Sequence, residues 1–209
     1  MSSKRRVRHH VNPLRSPFLE RRRPPLALPD GVEIEVEVGC ADARFLFERA
    51  PSRPDALLVG LEIREPLVRH VNEDAIALGL PNVRAHFAHA NLDLDGLFPD
   101  ERLARVFINF PDPWFKRRHR KRRLVTPKLA ATLARKLRPG GELFFQSDVF
   151  ELALDAMAVL EDEPTLRNLD EPWSFARANP YGARSLREAR CDARGLRIWR
   201  MRYLRAGPT

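Results

Sequence analysis

GVEIEVEVGCADARFLFERA, residues 31–50, with ALLVGLEI following at 56–63, is the stretch whose reading decides the fold. Val32, Ile34, Val36 and Val38 alternate with Glu33, Glu35 and Glu37, the period-two pattern of a strand with one buried face. Gly39 opens a tight turn, and Phe45, Leu46 and Ala50 then fall on the inward face of a helix. The run at 56–63 stays apolar until Glu62, as a strand covered on both sides does. Strand, glycine turn, helix and strand together make one half of a doubly wound α/β sheet, in which backbone at the turn comes up to a ligand. An acidic residue at the end of the second strand is where a ribose diol is held, and Glu62 is expected in that role. Only Gly39 remains of a G-x-G-x-G pattern. Ala41 and Ala43 stand at the other two places, and alanine disfavours positive φ, which counts against close approach there. The glutamates of the first strand conflict with a central place in such a sheet, and only Glu37, at the strand's carboxyl end, is accounted for by a ligand crevice. The turn alone leaves a nicotinamide cofactor and S-adenosylmethionine both open.

Outward from this core, 65–80 reads as a helix through Leu67, Val68, Val71, Ala75 and Leu78, closed by Gly79 and Pro81, and a third strand covers about 83–88. RVFINF at 105–110 is a fourth strand. Thr126 followed by Pro127 is a helix start, with Leu129, Leu133 and Leu137 on one face. PGG at 139–141 turns into ELFFQS, a fifth strand ending at Asp148, which doubles as a candidate N-cap for a helix from 149 to about 160. Residues 164–180 read as strand and loop, and GLRIWRMRYLR from 195 as a closing strand with Trp199, Met201 and Tyr203 on one face and Arg200 and Arg202 on the other. The fold class is therefore α/β, a doubly wound and mostly parallel sheet with helices on both faces. With 209 residues, 44% of them hydrophobic, the chain can bury one sizeable core. Residues 24–209 are taken as that domain, and 1–23 as a basic arm, disordered or ordered only on binding.

The net charge of +9 is strongly segregated. Residues 1–23 carry eight Lys and Arg against Glu20, residues 116–123 carry seven with no acid, and residues 175–209 carry nine Arg against Glu188 and Asp192. Residues 24–115 reverse the balance, with eight Arg against sixteen Asp and Glu. Basic blocks bracketing an acidic body imply one surface for a polyanion, nucleic acid above all, and another region for a different ligand. The basic blocks lack the large apolar helical face that a membrane-surface segment needs, and no apolar run approaches the roughly 20 residues of a span. Cys40 and Cys191 make neither a metal site nor a convincing disulfide, so no metal is expected and a reducing, cytoplasmic compartment is.

The basic block at 116–123 follows directly on NFPDPWF, 109–115. Pro111 and Pro113 fix φ on either side of Asp112 and remove two backbone donors, so the segment is a stiff irregular turn after a strand and not a helix start. A carboxylate held rigidly at the mouth of a phosphate-attracting surface suits a catalytic or orienting group. FPDPW at 110–114, Lys116 and KRRL at 121–124 resemble the hallmark of the bacterial tRNA (guanine-N7-)-methyltransferases, and RHHVNPL at 8–14 resembles a leader of some members.

That resemblance spans roughly 30–203. It implies a class I, Rossmann-like, seven-stranded fold with its last strand antiparallel, and S-adenosylmethionine as cofactor. The implied cofactor contacts are Glu37, Gly39, Glu62, His89 (where the family has an Asp at the adenine) and Asp112, which is also the catalytic residue. Lys116, Asp148 and the segment Ser185, Leu186, Arg187 and Glu188 are implied to grip the substrate; SLRE replaces the family's T-K-[FY]-E. Arg118, His119, Arg120, Lys121, Arg122 and Arg123 are expected on the RNA backbone, with tRNA as partner through a variable-loop guanine, and with the protein a monomer or weak homodimer. Two other readings are a methyltransferase for a different target, and a tRNA-binding protein whose cofactor site has degenerated through Ala41, Ala43 and His89.

Overall fold

A computed structural model describes residues 23–207 as one seven-stranded sheet in the order β3-β2-β1-β4-β5-β7-β6. The strands are β1 (Glu33–Val38), β2 (Ala56–Glu62), β3 (Val83–Phe87), β4 (Leu103–Asn109), β5 (Leu137–Ser147), β6 (Leu166–Asn168) and β7 (Trp199–Arg205). β1 to β5 run parallel, and β7 lies antiparallel between β5 and β6. The helices are α1 (Arg44–Arg49), α2 (Glu65–Ala77), α3 (Ala90–Leu97), α4 (Pro127–Lys136), α5 (Phe150–Glu161) and α6 (Leu186–Ala193), with 3-10 turns at Ala50–Ser52 and Arg117–Arg122. The arm at 1–23, Arg23 excepted, lies outside the described residues, as does the leader at 8–14.

Strand alternation sorts the core into two layers. Ile34, Val36 and Val38 of β1, with Leu57, Val59 and Leu61 of β2, point toward α3, α4 and α5, meeting Leu94, Leu129, Leu133 and Met157. Leu58, Phe107 and Phe144 point the other way, toward Phe45 and Leu46 of α1 and Val68 and Val71 of α2. β1 is thus central and covered on both faces, so Glu35 and Glu37 are interior, while Glu33 at its start stays partly exposed. Glu35 is fully buried and accepts from the Arg49 guanidinium at Nε and Nη2, and from Arg105 Nη1 at 2.9 Å. The alternation predicts one buried face; the second became buried because arginines of the adjoining elements neutralise it.

Thr126 caps α4 as read, its hydroxyl accepting from Leu129 N–H at 3.1 Å. Asp148 does not cap α5. That helix begins after Val149, whose N–H is taken by the Ser147 hydroxyl at 3.1 Å, while Asp148 turns aside to Arg187. α6 is absent from the sequence reading, although Ser185-Leu-Arg-Glu188 has the Ser-x-x-Glu form of a helix start, and Ser185 does accept from Glu188 N–H at 3.2 Å. Arg200 and Arg202, opposite the buried Met201 and Tyr203, are engaged with Glu188 and Glu142 and are not a solvated face.

Candidate functional site

The carboxyl ends of β1, β2 and β4 open on a cavity of about 450 Å³, in the size range of cofactor sites. Glu37, Gly39, Glu62, His89, Asp112, Trp114 and Arg122 line it, joined by Ser185, Leu186, Arg187 and Arg190 from the start of α6. Elements distant in sequence have brought these groups together because parallel strands all deliver their ends to one rim.

The turn after β1 keeps the left-handed backbone of a glycine-rich loop: φ is 77° at Gly39, 51° at Ala41 and 53° at Ala43. Both alanines therefore take the conformation that their side chains disfavour, at a cost of about 1–2 kcal/mol each. Two features hold them there. Ala41 N–H donates to Glu62 Oε2 at 3.1 Å, and the Ala43 side chain, fully buried, starts α1 inside the core. A Cβ built on Gly39 meets nothing within 4 Å, so the backbone there faces open space.

Glu62 is 3% exposed, and its oxygens also accept from Arg64 N at 2.9 Å, Nε at 2.8 Å and Nη2 at 2.9 Å. The Arg64 pKa is raised, chiefly by the Glu62 hydrogen bond and further by the Glu62 charge and then that of Asp112. Glu37 is 2% exposed. One of its oxygens accepts from Asn109 Nδ2 at 2.8 Å, and the other has no partner among the described residues. Burial pushes its pKa up to about 8, against the Asn109 hydrogen bond and with help from Asp42 and Glu62. A half-satisfied buried carboxyl beside Gly39 suits a ligand that brings a hydrogen-bond donor or a positive charge. With the open backbone and the Glu62 carboxylate at the second strand's end, the residues fit the amino-acid and ribose parts of S-adenosylmethionine. Cys40 fills the space over Gly60, where an added Cβ would come within 2.5 Å of its sulfur, and burial first, then Glu37 and Glu62, raise its pKa well above the ordinary value. It and Cys191 are buried free thiols of the core.

Asp112 lies on the irregular turn expected from its flanking prolines. Phe110 and Trp114 bracket it at φ 50° and 44°, a second strained segment at the rim. Arg123 holds the turn: its Nε donates to Pro113 O at 3.1 Å, and its Nη1 pairs with Asp155 of α5. At 6% exposure Arg123 belongs to the fold, unlike Arg117, Arg118, Arg120 and Lys121, which are exposed. Arg122 is drawn inward, its guanidinium 5.0 Å from the Trp114 ring centre, and His119 meets the same ring edge-on at 5.8 Å. Lys116 is exposed at the head of the 3-10 turn.

Sequence reasoning missed the polar chain behind the rim. Asn109 Oδ1 accepts from Gln146 Nε2 at 2.9 Å, Gln146 Nε2 donates to Glu188 Oε2 at 2.8 Å, and Arg200 Nη2 donates to Glu188 Oε1 at 3.0 Å. Glu188, 1% exposed, is therefore an anchor for α6 and not a cavity wall, whereas Leu186 and Arg187 face the cavity. The signal for Asn109 and Gln146 in the sequence is a polar residue closing an apolar run.

His89 is 8% exposed at the cavity wall, and its backbone N–H donates to Asp93 at 2.8 Å. Among the described residues no cluster of three His, Cys, Asp or Glu is placed to hold a metal, and no helix is long and apolar enough to cross a membrane.

Residues 32–201 match the family described as "Putative methyltransferase". Among solved structures the chain resembles the 16S rRNA methyltransferase KamB at TM-score 0.61 and 15% identity, over 84% of this chain and 88% of that one. It resembles a SAM dependent methyltransferase from Aquifex aeolicus at TM-score 0.58 and 14% identity, over 83% and 82%. At such identities these likenesses speak to the fold, a class I methyltransferase sheet. The protein named tRNA (guanine-N(7)-)-methyltransferase in Synechococcus sp. (strain JA-3-3Ab) is 40% identical over 93% of this chain and 84% of its own length. Its namesake in Synechococcus elongatus is 38% identical over 96% of both. With FPDPW on the rim of a cofactor-sized cavity and identity of this order along nearly its whole length, the chain belongs to the tRNA (guanine-N(7)-)-methyltransferase family.

Proposed function

We propose that this protein methylates N7 of a guanine in the variable loop of tRNA, with S-adenosylmethionine as donor. The observation that carries the reading is a single cavity with the half-satisfied Glu37 and the Gly39 turn on one side and Asp112 on the other, opening beside the exposed basic turn Arg117–Arg122. Bound S-adenosylmethionine supplies an electrophilic sulfonium methyl, whose carbon bonds to the guanine N7 lone pair while the electrons of the C–S bond stay with sulfur.

No proton has to be removed, because N7 carries none. The chain's task is to orient the base and stabilise the positive charge that develops on it, and Asp112 does both from a turn that Arg123 holds still. Glu37 and Glu62 would hold the amino-acid and ribose parts of the cofactor, Gly39 would let backbone approach it, and His89 would meet the adenine. Engaging the ribose requires Arg64 to release part of Glu62. Arg187, paired with Asp148 across the β5–α6 gap, and Leu186 touch the substrate, while Ser185 and Glu188 hold the helix that presents them. Lys116, Arg118, Arg120 and Lys121 meet phosphates, with His119 and Arg122 bracing Trp114 behind them. The same reading makes the protein cytoplasmic, a monomer or weak homodimer.

The test is transfer of labelled methyl to tRNA followed by mapping of the modified base. Wild type should label one variable-loop guanine at N7. Asp112→Asn should retain tRNA and cofactor binding yet transfer methyl on the order of a hundredfold more slowly, the typical loss for one preorganised charge. Label at another atom or in another RNA refutes the reading, and an Asp112→Asn protein with full rate refutes the role of Asp112.

A further inference from the structure

Phe115 is the large apolar side chain that the active-site turn leaves outside. Its surface is 70% exposed, while Trp114 beside it faces inward and has its ring taken by Arg122 and His119. Two residues, Pro113 and Trp114, separate Phe115 from Asp112, and Lys116 and the exposed Arg117, Arg118 and Arg120 follow it. The backbone that presents it is stiff: Pro113 fixes φ, its carbonyl is held by Arg123, and Trp114 sits at φ 44°. A rigid exposed ring flanked by phosphate-binding cations has little conformational freedom to lose when it is buried against bases.

Guanine N7 lies on the major-groove edge, which in an A-form helix is too deep and narrow for side chains to enter. A guanine stacked in folded RNA must therefore leave its stack before it can reach a cavity behind the protein surface. Trp114 is half-buried against Arg122 and His119 and lines the cavity, so it is not placed outside to fill the vacated position. Phe115 is.

We infer that Phe115 is a wedge: it enters the tRNA base stack where the target guanine has left and so keeps that guanine in the cavity with Asp112. It is a positioning residue that touches the RNA and not the reacting atoms, and the inference rests on the tRNA guanine-N7 reading above.

Single-turnover methyl transfer at saturating protein tests it on two RNAs, a folded tRNA and the same tRNA with an abasic residue beside the target guanine, which weakens the stack in advance. Phe115→Ala should slow transfer to the intact tRNA by about tenfold or more and be largely rescued on the abasic tRNA, while Phe115→Trp keeps most of the rate on both. With 2-aminopurine as the target's neighbour, the fluorescence rise on binding should fall away in Phe115→Ala. An equal loss on both RNAs, or no loss on the intact one, overturns the wedge. So does an unchanged rate with a shift in sedimentation, which would make Phe115 a contact between copies. No labelling of either tRNA by wild type would instead bring down the underlying reading.

Discussion

Glu37 shows how a single position can be costly to the fold and useful to the site. Its carboxyl is buried with one oxygen unmatched, and its pKa stands near 8 against an ordinary 4.5. The folded protein holds a proton that the unfolded chain gives up, so this group's contribution to stability is complete below pH 4.5 and is lost as pH rises through about 8. Glu37→Gln removes the titration. Denaturant unfolding across pH should show the substituted protein gaining on wild type through that window, by on the order of a few kcal/mol at alkaline pH. A difference that stays flat with pH would mean that Glu37 is ionised throughout. S-adenosylmethionine, by bringing positive charge to the unmatched oxygen, should release a proton on binding near neutral pH, a quantity that calorimetry in buffers of different ionisation enthalpy reads directly. At Ala41 and Ala43 the sequence signal pointed away from a ligand turn, and the backbone adopts one all the same. Residue preference there is outweighed by the Glu62 carboxylate on Ala41 N–H and by the buried start of α1.

At the scale of the element, the FPDPW turn and its basic sequel are two devices in one stretch. Burial divides them: Arg123 is interior and bonded to Pro113 and Asp155, while Arg118, Arg120 and Lys121 are exposed. Charge and spacing do not distinguish these side chains, since the division depends on where α5 passes. Arg123→Met keeps the stem and loses the fork. With Asp155 half exposed, the cost to stability should be about 1–3 kcal/mol, and turnover should fall because the Asp112 turn loosens. The salt dependence of tRNA binding should stay as in wild type. A reduced salt slope with unchanged stability would return Arg123 to the RNA surface. α6 teaches a related lesson. Its Ser-x-x-Glu start is legible as a cap, whereas the family resemblance implies a substrate contact at Glu188, and nothing local shows that Gln146, Asn179 and Arg200 converge on it.

Over the whole molecule, acidic and basic segments of the chain separate into function. Glu37 and Glu62 line the cavity, Glu35 is neutralised inside by Arg49 and Arg105, Glu33 pairs with Arg53 and Arg138 nearer the surface, and the exposed cations of residues 116–121 lie between Trp114 and Arg122, which line the cavity. Replacing Arg118 and Lys121 by glutamine should therefore weaken tRNA binding and lower the slope of log K against log salt by about one to two, with the rate at saturating tRNA little changed. Filter binding over a salt series, paired with turnover, checks both halves. Loss of saturated rate without a change of slope would place these two side chains in the chemistry.

The sequence by itself determined the parallel α/β order, the tight turn at Gly39, Glu62 at a strand end and the proline-flanked turn at Asp112, because each is written in local periodicity or in proline and glycine chemistry. Only the tertiary structure decided that β1 is buried on both faces, that Arg123 and Glu188 are internal, and that Phe115 and not Trp114 is the ring left exposed. Those outcomes depend on partners far along the chain: Arg49 and Arg105 for Glu35, Asp155 for Arg123, Gln146 for Glu188. A short window of sequence carries no information about which charges the fold brings face to face.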